Sequence, residues 1–467
     1  MVFSSVIFLF RFLPVFLLCY FLTPAKYRNI TLLAGSLIFY AYGEPIYVLL
    51  MIFSIFINDR LSRVMAKRNE IREGSGKPLL ILLMFIDFGF LFFFKYLNFT
   101  FSIINSIAGK VLFDDINLTL PLGISFYTFQ IASYVIDVYR GKYSVSEKFI
   151  DFATYVCMFP QLIAGPIVNF GEVKERLQKR KVNYAMIEWG VSIFIMGLSY
   201  KVLLANKIVS LWNQVQTAGV TGIGPLTAWL GSWGFSMQIY FDFFGYSLMA
   251  IGLGKIMGFN FPANFLNPYT VKSATSFWRY WHMTLGRWFR DYVYIPLGGN
   301  RKGTARLVLN TFVVWFLTGL WHGANWNFII WGLLFFVILM LEKLLYLEKI
   351  ENTKVIGHIY MFFLIPFSWT IFNITDLNAL VLYIKRLLFL PVEGSLKINW
   401  FTQFWDYFKD YWWLLAICAF CCTGIPMKLL KRFYNNFFCK LILLALFWFS
   451  VYQLLTGANN PFLYFRF

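Results

Sequence analysis

The chain has 467 residues, of which 59% are hydrophobic and only 13% charged, with a mean hydropathy of +0.64. That balance excludes a soluble globular domain, which is about half apolar and a quarter charged; apolar stretches of spanning length recur from Val2 to Phe462 and make residues 1–467 a single integral-membrane domain, all-α and polytopic. The net charge of +19 does not indicate nucleic acid, because Lys and Arg fall in short loops between apolar segments, where they orient helices relative to the cytoplasm.

Met1–Leu22 has no small-residue cleavage site before the polar "TPAKYRN" and reads as the first span rather than a removable leader. Lys26 and Arg28 then mark one cytoplasmic loop, and the strongly cationic run from Arg60 to Lys77 marks the next. The segment between them, Ile30–Asn58, must go out and return, turning at "YGEP". Pro78–Leu97 exits and Leu122–Tyr139 returns. Phe152–Val168, "FATYVCMFPQLIAGPIV", lies between two cationic loops, so a helix broken at Pro160 and Gly165–Pro166 that dips in and comes back fits best. Ala185–Leu204 goes out, Leu226–Met257 comes in, Leu307–Trp321 exits and Ala324–Leu345 returns. About three further spans around "KLLKRF" (Lys428–Phe433) complete roughly eleven, plus the re-entrant segment. Parity places His282 inside and His322 near the outside.

The six cysteines lie mostly in apolar segments with no histidine beside them, which argues against a disulfide framework or a metal site; Cys418, Cys421 and Cys422 read as small apolar packing. Chemistry concentrates instead in "SFWRYWHMTLGRWFRDYVYIPLGGNR", Ser276–Arg301, which holds one of only three histidines. As one helix it places Trp278, Trp281, Leu285, Trp288, Phe289 and Tyr292 on an apolar stripe and Arg279, Arg287 and Arg290 opposite, an interfacial arrangement with His282 at the border. Taken alone, that helix serves equally as an anchor whose histidine bonds a backbone carbonyl. A second histidine shifts the reading: "LTGLWHGANW" puts His322 at the end of an apolar segment beside Gly319 and Gly323, and ionisable groups at membrane depth are costly and usually functional. His358 has no supporting cluster and reads as interfacial. With no Gly-x-Ser-x-Gly elbow or reactive cysteine for either histidine to serve, the imidazole itself is the candidate general base on a substrate hydroxyl. Gln238 with Asp242, and Gln130 with Ser133 and Asp137, share helix faces that either line a cavity or make packing hydrogen bonds; Arg11, Asp87 and Lys95 pair or snorkel.

The succession "FPQLIAGPI", "YFDFFGYSLMAIGLGKIMGF", "FWRYWHMTLGRWFRDYVYIPLGGNR" and "GLWHGANWNFIIWG" resembles the membrane-bound O-acyltransferases, in the bacterial branch of alginate O-acetylases and peptidoglycan O-acetyltransferases. Teichoic acid D-alanyl transferases share "FWxxWH" and "FRDY", but "IPLGGNR" favours the acetylase branch. The resemblance implies a helical bundle around a tunnel, with re-entrant and interfacial helices, in a bacterial cytoplasmic (inner) membrane. It implies no bound cofactor. Acetyl-CoA is the implied acyl donor on the cytoplasmic side, a cell-surface polysaccharide the final acceptor, and an extracytoplasmic acetyltransferase the partner. It assigns His322 as the catalytic histidine and His282 as the second catalytic position; Arg279, Arg287 and Arg290, whose charge suits the phosphates of the carrier, with Asp291, Asp242, Trp281 and Asn325, are the expected substrate contacts, and no metal is expected. The branch often carries Ser and Asp where this chain has Phe244 and Leu248, a departure that bears on the acceptor rather than on the histidine chemistry; Asp242 and Ser247 remain. A polysaccharide flippase is the competing class, since polar intramembrane residues and a broken helix suit it equally.

Overall fold

A computed structural model describes residues 1–163, 165–301, 303–457 and 463; Phe462, the end of the apolar stretches, lies outside them. All regular elements among the described residues are helical. Among the described residues six helices are long and apolar enough to cross a membrane, and a seventh results if the pair Trp400–Cys422 and Ile425–Phe433, bent by 62°, forms one span. The roughly eleven expected from hydropathy include segments that fold into shorter or more polar helices. Arg28–Ala41 and Ile124–Tyr139 have 14 and 16 residues, and Pro225–Ile256 is long but interleaves indole, amide and carboxylate side chains with its apolar ones.

The chain forms two compact units. The first comprises Met1–Phe194 and Ser247–Pro262. Its helices are α1 (Leu13–Leu22), α2 (Arg28–Ala41), α3 (Tyr47–Ile71), α4 (Lys77–Ala108), α5 (Ile124–Tyr139), α6 (Phe149–Cys157), α7 (Phe159–Leu162) and α8 (Phe170–Gln178), followed by the start of α9 (Tyr184–Ser199). The segment expected to be re-entrant is interrupted at Met158, where φ −48° and ψ 108° leave the helical region. Pro160 occupies the first turn of α7, where its missing N–H and fixed φ are tolerated, whereas an uninterrupted helix would place it in the interior. Side chains satisfy the broken backbone: Ser36 Oγ accepts from the Phe159 amide at 3.1 Å, and Tyr155 donates its hydroxyl to Val168 O at 2.9 Å. The Phe159 ring packs on Phe3, Phe8, Phe12, Phe16 and Phe39 at centroid distances of 5.1–6.2 Å, so aromatic packing encloses the break. Ser133 and Asp137 on the polar face of α5 are used locally, while the buried Gln130 side chain has no hydrogen-bond partner among the described residues. Ser133 bonds Gln130 O at 2.8 Å, and Asp137 accepts from Lys142 and Tyr143 at 3.0 and 2.9 Å. Asp87 is buried against Asn58 at 2.8 Å.

The second unit comprises Ile195–Tyr246 and Ala263–Phe467. It is built from α10 (Asn206–Ala218), most of α11 (Pro225–Ile256), two short helices α12 (Ala274–Tyr280) and α13 (Met283–Phe289), the hairpin α14 (Thr304–His322) and α15 (Trp326–Leu341), then α16 (Leu347–Asn352), α17 (Ile356–Asn373), α18 (Leu377–Leu387), α19 (Trp400–Cys422), α20 (Ile425–Phe433) and α21 (Phe437–Thr456). The α14–α15 hairpin, which carries His322, is set by glycine: a Cβ on Gly319 would sit 2.4 Å from Phe328 O, and one on Gly332 2.4 Å from Trp315 O. Neither obstruction is a flexible side-chain end; both are backbone carbonyls. Gly332→Val is therefore expected to overpack the hairpin by about 1–3 kcal/mol, read as a lowered midpoint in detergent thermal unfolding. An unchanged midpoint would show that the helices do not need this approach.

Two π-helical segments turn charged residues inward. Tyr200–Ala205 contains Lys201 and Glu342–Tyr346 begins with Glu342, and both side chains are buried. Such bulges shift the helix face by a residue and recur at functional positions. Cys418 and Cys422 are buried on α19, with Cys422 Sγ 3.7 Å from Met237 Sδ, in agreement with the packing role expected for them.

Candidate active site

The segment Ser276–Arg301 departs from the single helix its periodicity suggests. It breaks at Trp281–His282, with His282 in the left-handed region at φ +44°. The cause lies in a preceding loop. Tyr280 O, which a continuous helix would offer to the Thr284 amide, is taken by Leu266 N at 3.0 Å; Thr284 N turns to Asn264 Oδ1 at 3.3 Å, and Met283 N bonds Asn264 O at 3.0 Å. A non-glycine residue with positive φ costs energy and persists only where its surroundings over-determine it. The division of faces survives the break: Trp281, Leu285, Trp288, Phe289 and Tyr292 are buried, Arg279 and Arg290 are exposed, and Arg287 is intermediate.

Glu342 holds the start of α12. Its buried carboxylate accepts from the Ala274 and Thr275 amides at 2.6 and 2.7 Å and from Thr275 Oγ1 at 2.6 Å. Glu351 accepts from Ser273 and Ser276 hydroxyls at 2.8 and 2.5 Å. Carboxylates at helix amides are favourable through both hydrogen bonding and the helix dipole, so the first turn of the helix that delivers Trp281 and His282 is anchored by two carboxylates.

Asn264 was not legible from sequence, and it defines the state of His282. Its Oδ1 lies 3.1 Å from His282 Nδ1 and 2.9 Å from Thr284 Oγ1, and also receives the Thr284 amide. A carbonyl oxygen only accepts, so Nδ1 carries the hydrogen and the neutral ring keeps its lone pair on Nε2. Burial pushes the imidazole down to about 3, against an ordinary value of 6.5. The unfolded chain therefore takes up the proton first. The stability contributed by the neutral ring is full above about pH 6.5 and falls as pH drops from there toward 3. In thermal unfolding between pH 7.5 and 5, His282→Gln is expected to show a shallower acid-side loss than the parent; parallel curves would contradict this assignment.

His322 ends α14 and is buried, and Gly323 follows in extended conformation, with a Cβ there meeting the Phe328 ring at 2.2 Å. Its ring packs edge-on against Trp331 and Phe372, at centroid distances of 5.2 and 5.1 Å. Trp321 lies between the two histidines, 6.0 Å from His282 and 5.0 Å from His322. The structure thus brings His282, Trp281 and His322 into one cluster of packed aromatic rings within the second unit; Trp281 reaches it through Trp369, which packs on Trp331.

Other expected contacts sit elsewhere or are already engaged. Asp242 forms a buried ion pair with Lys201 and accepts from the Leu463 amide at 2.9 Å. Asp291 pairs with its neighbour Arg290 at 2.7 Å, and Asn325 is the half-buried residue preceding α15. Exposed Arg279 and Arg290 lie on the outer side of α12 and of the turn after α13. His358 is exposed, as its interfacial reading expects. Among the described residues no group of His, Cys, Asp and Glu is arranged to hold a metal ion.

A many-helix membrane protein with two buried histidines around one indole defines the class. Residues 144–348, which contain both histidines, match the MBOAT, membrane-bound O-acyltransferase family. The chain is 39% identical over 387 residues to the probable alginate O-acetylase AlgI of Azotobacter vinelandii, covering 81% of this chain and 76% of that protein. It is 40% identical to the corresponding protein of Pseudomonas aeruginosa, over 81% and 73% of the two chains. The peptidoglycan O-acetyltransferase of Helicobacter pylori is 34% identical over 422 residues, 82% of this chain and 79% of that one. The chain therefore belongs to the membrane-bound O-acyltransferase family and is a multi-pass membrane acyltransferase.

Proposed function

We propose that the protein transfers an acetyl group from acetyl-CoA, presented at the cytoplasmic side of a bacterial inner membrane, to a hydroxyl acceptor approaching from the other side, for O-acetylation of a cell-surface polysaccharide. The polymer is alginate-, peptidoglycan- or cellulose-like, and an extracytoplasmic acetyltransferase partner carries the group onward. The observation that carries this reading is the pair of buried histidines on either side of Trp321, one with its tautomer fixed by Asn264. His322 acts as the general base: it takes the proton of the attacking hydroxyl as the oxygen meets the thioester carbonyl, then returns it to the departing thiolate. His282, held neutral with its lone pair on Nε2, is an acceptor that orients the substrate. Arg279, Arg287 and Arg290 supply positive charge for the phosphates of the carrier, and Trp281 gives its acyl chain an apolar wall. No cofactor is required, because donor and acceptor supply all the bonds that form and break.

The test is transfer of labelled acetyl from acetyl-CoA to envelope polymer in inverted membrane vesicles containing the protein and its partner. Label in polymer that depends on the protein supports the reading. Label absent while polymer is translocated unchanged would support a flippase instead.

A further inference from the structure

We propose that the indole N–H of Trp331 is a second catalytic group, the hydrogen-bond donor that holds the acyl carbonyl oxygen of the thioester while His322 handles the proton. This rests on the acyl-transfer reading above. Trp331 is fully buried, and its ring stands edge-on to His322 at 5.2 Å. Its Nε1 has no hydrogen-bond partner among the described residues. An indole nitrogen is a donor only, and a buried donor left unmade is a standing cost that natural interiors rarely accept without a reason. The contrast lies next door: Trp369, which stacks on Trp331 at 5.8 Å, donates its N–H to Tyr269 at 3.1 Å.

The surroundings of Trp331 offer little else to bond. Trp278, Trp315, Phe335 and Phe372 pack on it with centroids 5.1–6.1 Å away, and ring faces provide only weak N–H contacts. A desolvated donor held in place by packing is what a developing oxyanion needs, since it stabilises the new charge without reorganising. In the step, the acceptor oxygen forms a bond to the carbonyl carbon and its proton passes to His322, while the C=O electron pair moves onto the oxygen held by Trp331. Collapse restores C=O and breaks the C–S bond, and the thiolate takes the proton from the imidazolium. Trp331 keeps its own proton throughout; thioester and alcohol become ester and thiol.

The experiment compares Trp331→Phe, Trp331→His and, as a control away from the site, Trp229→Phe, whose indole N–H donates to Leu387 O at 2.9 Å, in the full-length protein, measuring kcat and KM for acetyl-CoA together with the thermal midpoint. Trp331→Phe removes the N–H, whereas Trp331→His restores a ring donor at a comparable loss of volume. Expected is a fall in kcat of about 10²- to 10³-fold for Trp331→Phe, the loss seen when one oxyanion donor is removed, with KM changed only a few-fold. Trp331→His is expected to recover at least about tenfold of that loss, and Trp229→Phe to stay within several-fold of the parent. Equal losses in the Phe and His variants, or a folded Trp331→Phe protein with near-parent kcat, would overturn the role and assign Trp331 to packing. A parent protein that transfers no acetyl from acetyl-CoA overturns the acyl-transfer reading itself, an outcome distinguished by its presence before any substitution is made.

Discussion

His322→Ala is expected to lose acetyl transfer by about 10²- to 10⁴-fold, the usual contribution of a positioned general base, while its thermal midpoint moves little by comparison. The reason is placement. His322 closes α14 at the point where Gly319 and Gly323 let α15 approach, and its ring meets Trp321, Trp331 and Phe372. Holding both reactants against that ring provides proximity and orientation, which accounts for more of the barrier than the proton transfer alone. Steady-state transfer by detergent-solubilised protein, compared at equal folded concentration, measures the loss. A folded His322→Ala protein with near-parent turnover would remove His322 from the chemistry.

Lys201→Met is expected to have the largest effect on stability, about 3–5 kcal/mol, because breaking a buried ion pair leaves an uncompensated charge. Lys201 and Asp242 are each almost fully buried and paired with one another, and Lys201 Nζ also donates to Asn206 at 2.8 Å. The approach is built in: a Cβ on Gly245 would lie 2.6 Å from Gly197 O and 2.9 Å from Lys201 N, so the helices carrying the pair meet backbone to backbone. The double variant Lys201→Met with Asp242→Leu is expected to recover much of the loss, since an apolar replacement of a whole buried pair is often neutral. Thermal unfolding of both single variants and the double variant closes the cycle. Additive losses in the double variant would show that the two residues act independently.

Much of the architecture was legible in the sequence because the bilayer is so restrictive a solvent. Hydropathy and charged loops gave an all-helical polytopic chain, and two cationic flanks pointed to a segment broken at Pro160 and Gly165–Pro166; the helix is interrupted two residues earlier, at Met158, with Pro160 in the first turn of the next helix. His322 stood out because an ionisable group at the end of an apolar segment needs a reason to be there, and it drew attention to His282, whose own arginine-rich helix read equally well as an anchor. The break at His282 was invisible because its cause is not local: the Asn264 side chain and the Leu266 amide take over hydrogen bonds that the 3.6-residue periodicity assigns to the helix. Asn264 itself resembles any asparagine in a proline-rich loop. Lys201 gave no signal either, because in sequence it looks like a cation near the end of a span; only the π-helical turn at Tyr200–Ala205 and the close approach of Gly245 carry it to Asp242. Asp242, an expected substrate contact, is also half of a buried pair. Glu342 lay in a run of charges at the end of α15 and could not be told from a solvated face until its bonds to the start of α12 were seen.

Sided proteoliposomes test the central claim most directly. With protein oriented by a tag and labelled acetyl-CoA supplied only on the cytoplasmic face, ester-linked acetyl on a polysaccharide or soluble hydroxyl acceptor enclosed on the opposite side is expected, with release of one free thiol per acetyl transferred and neither product formed by His322→Ala. Thiol release without acetyl on the far side, or acetylated acceptor formed equally by the His322→Ala protein, would contradict transfer across the membrane through this histidine.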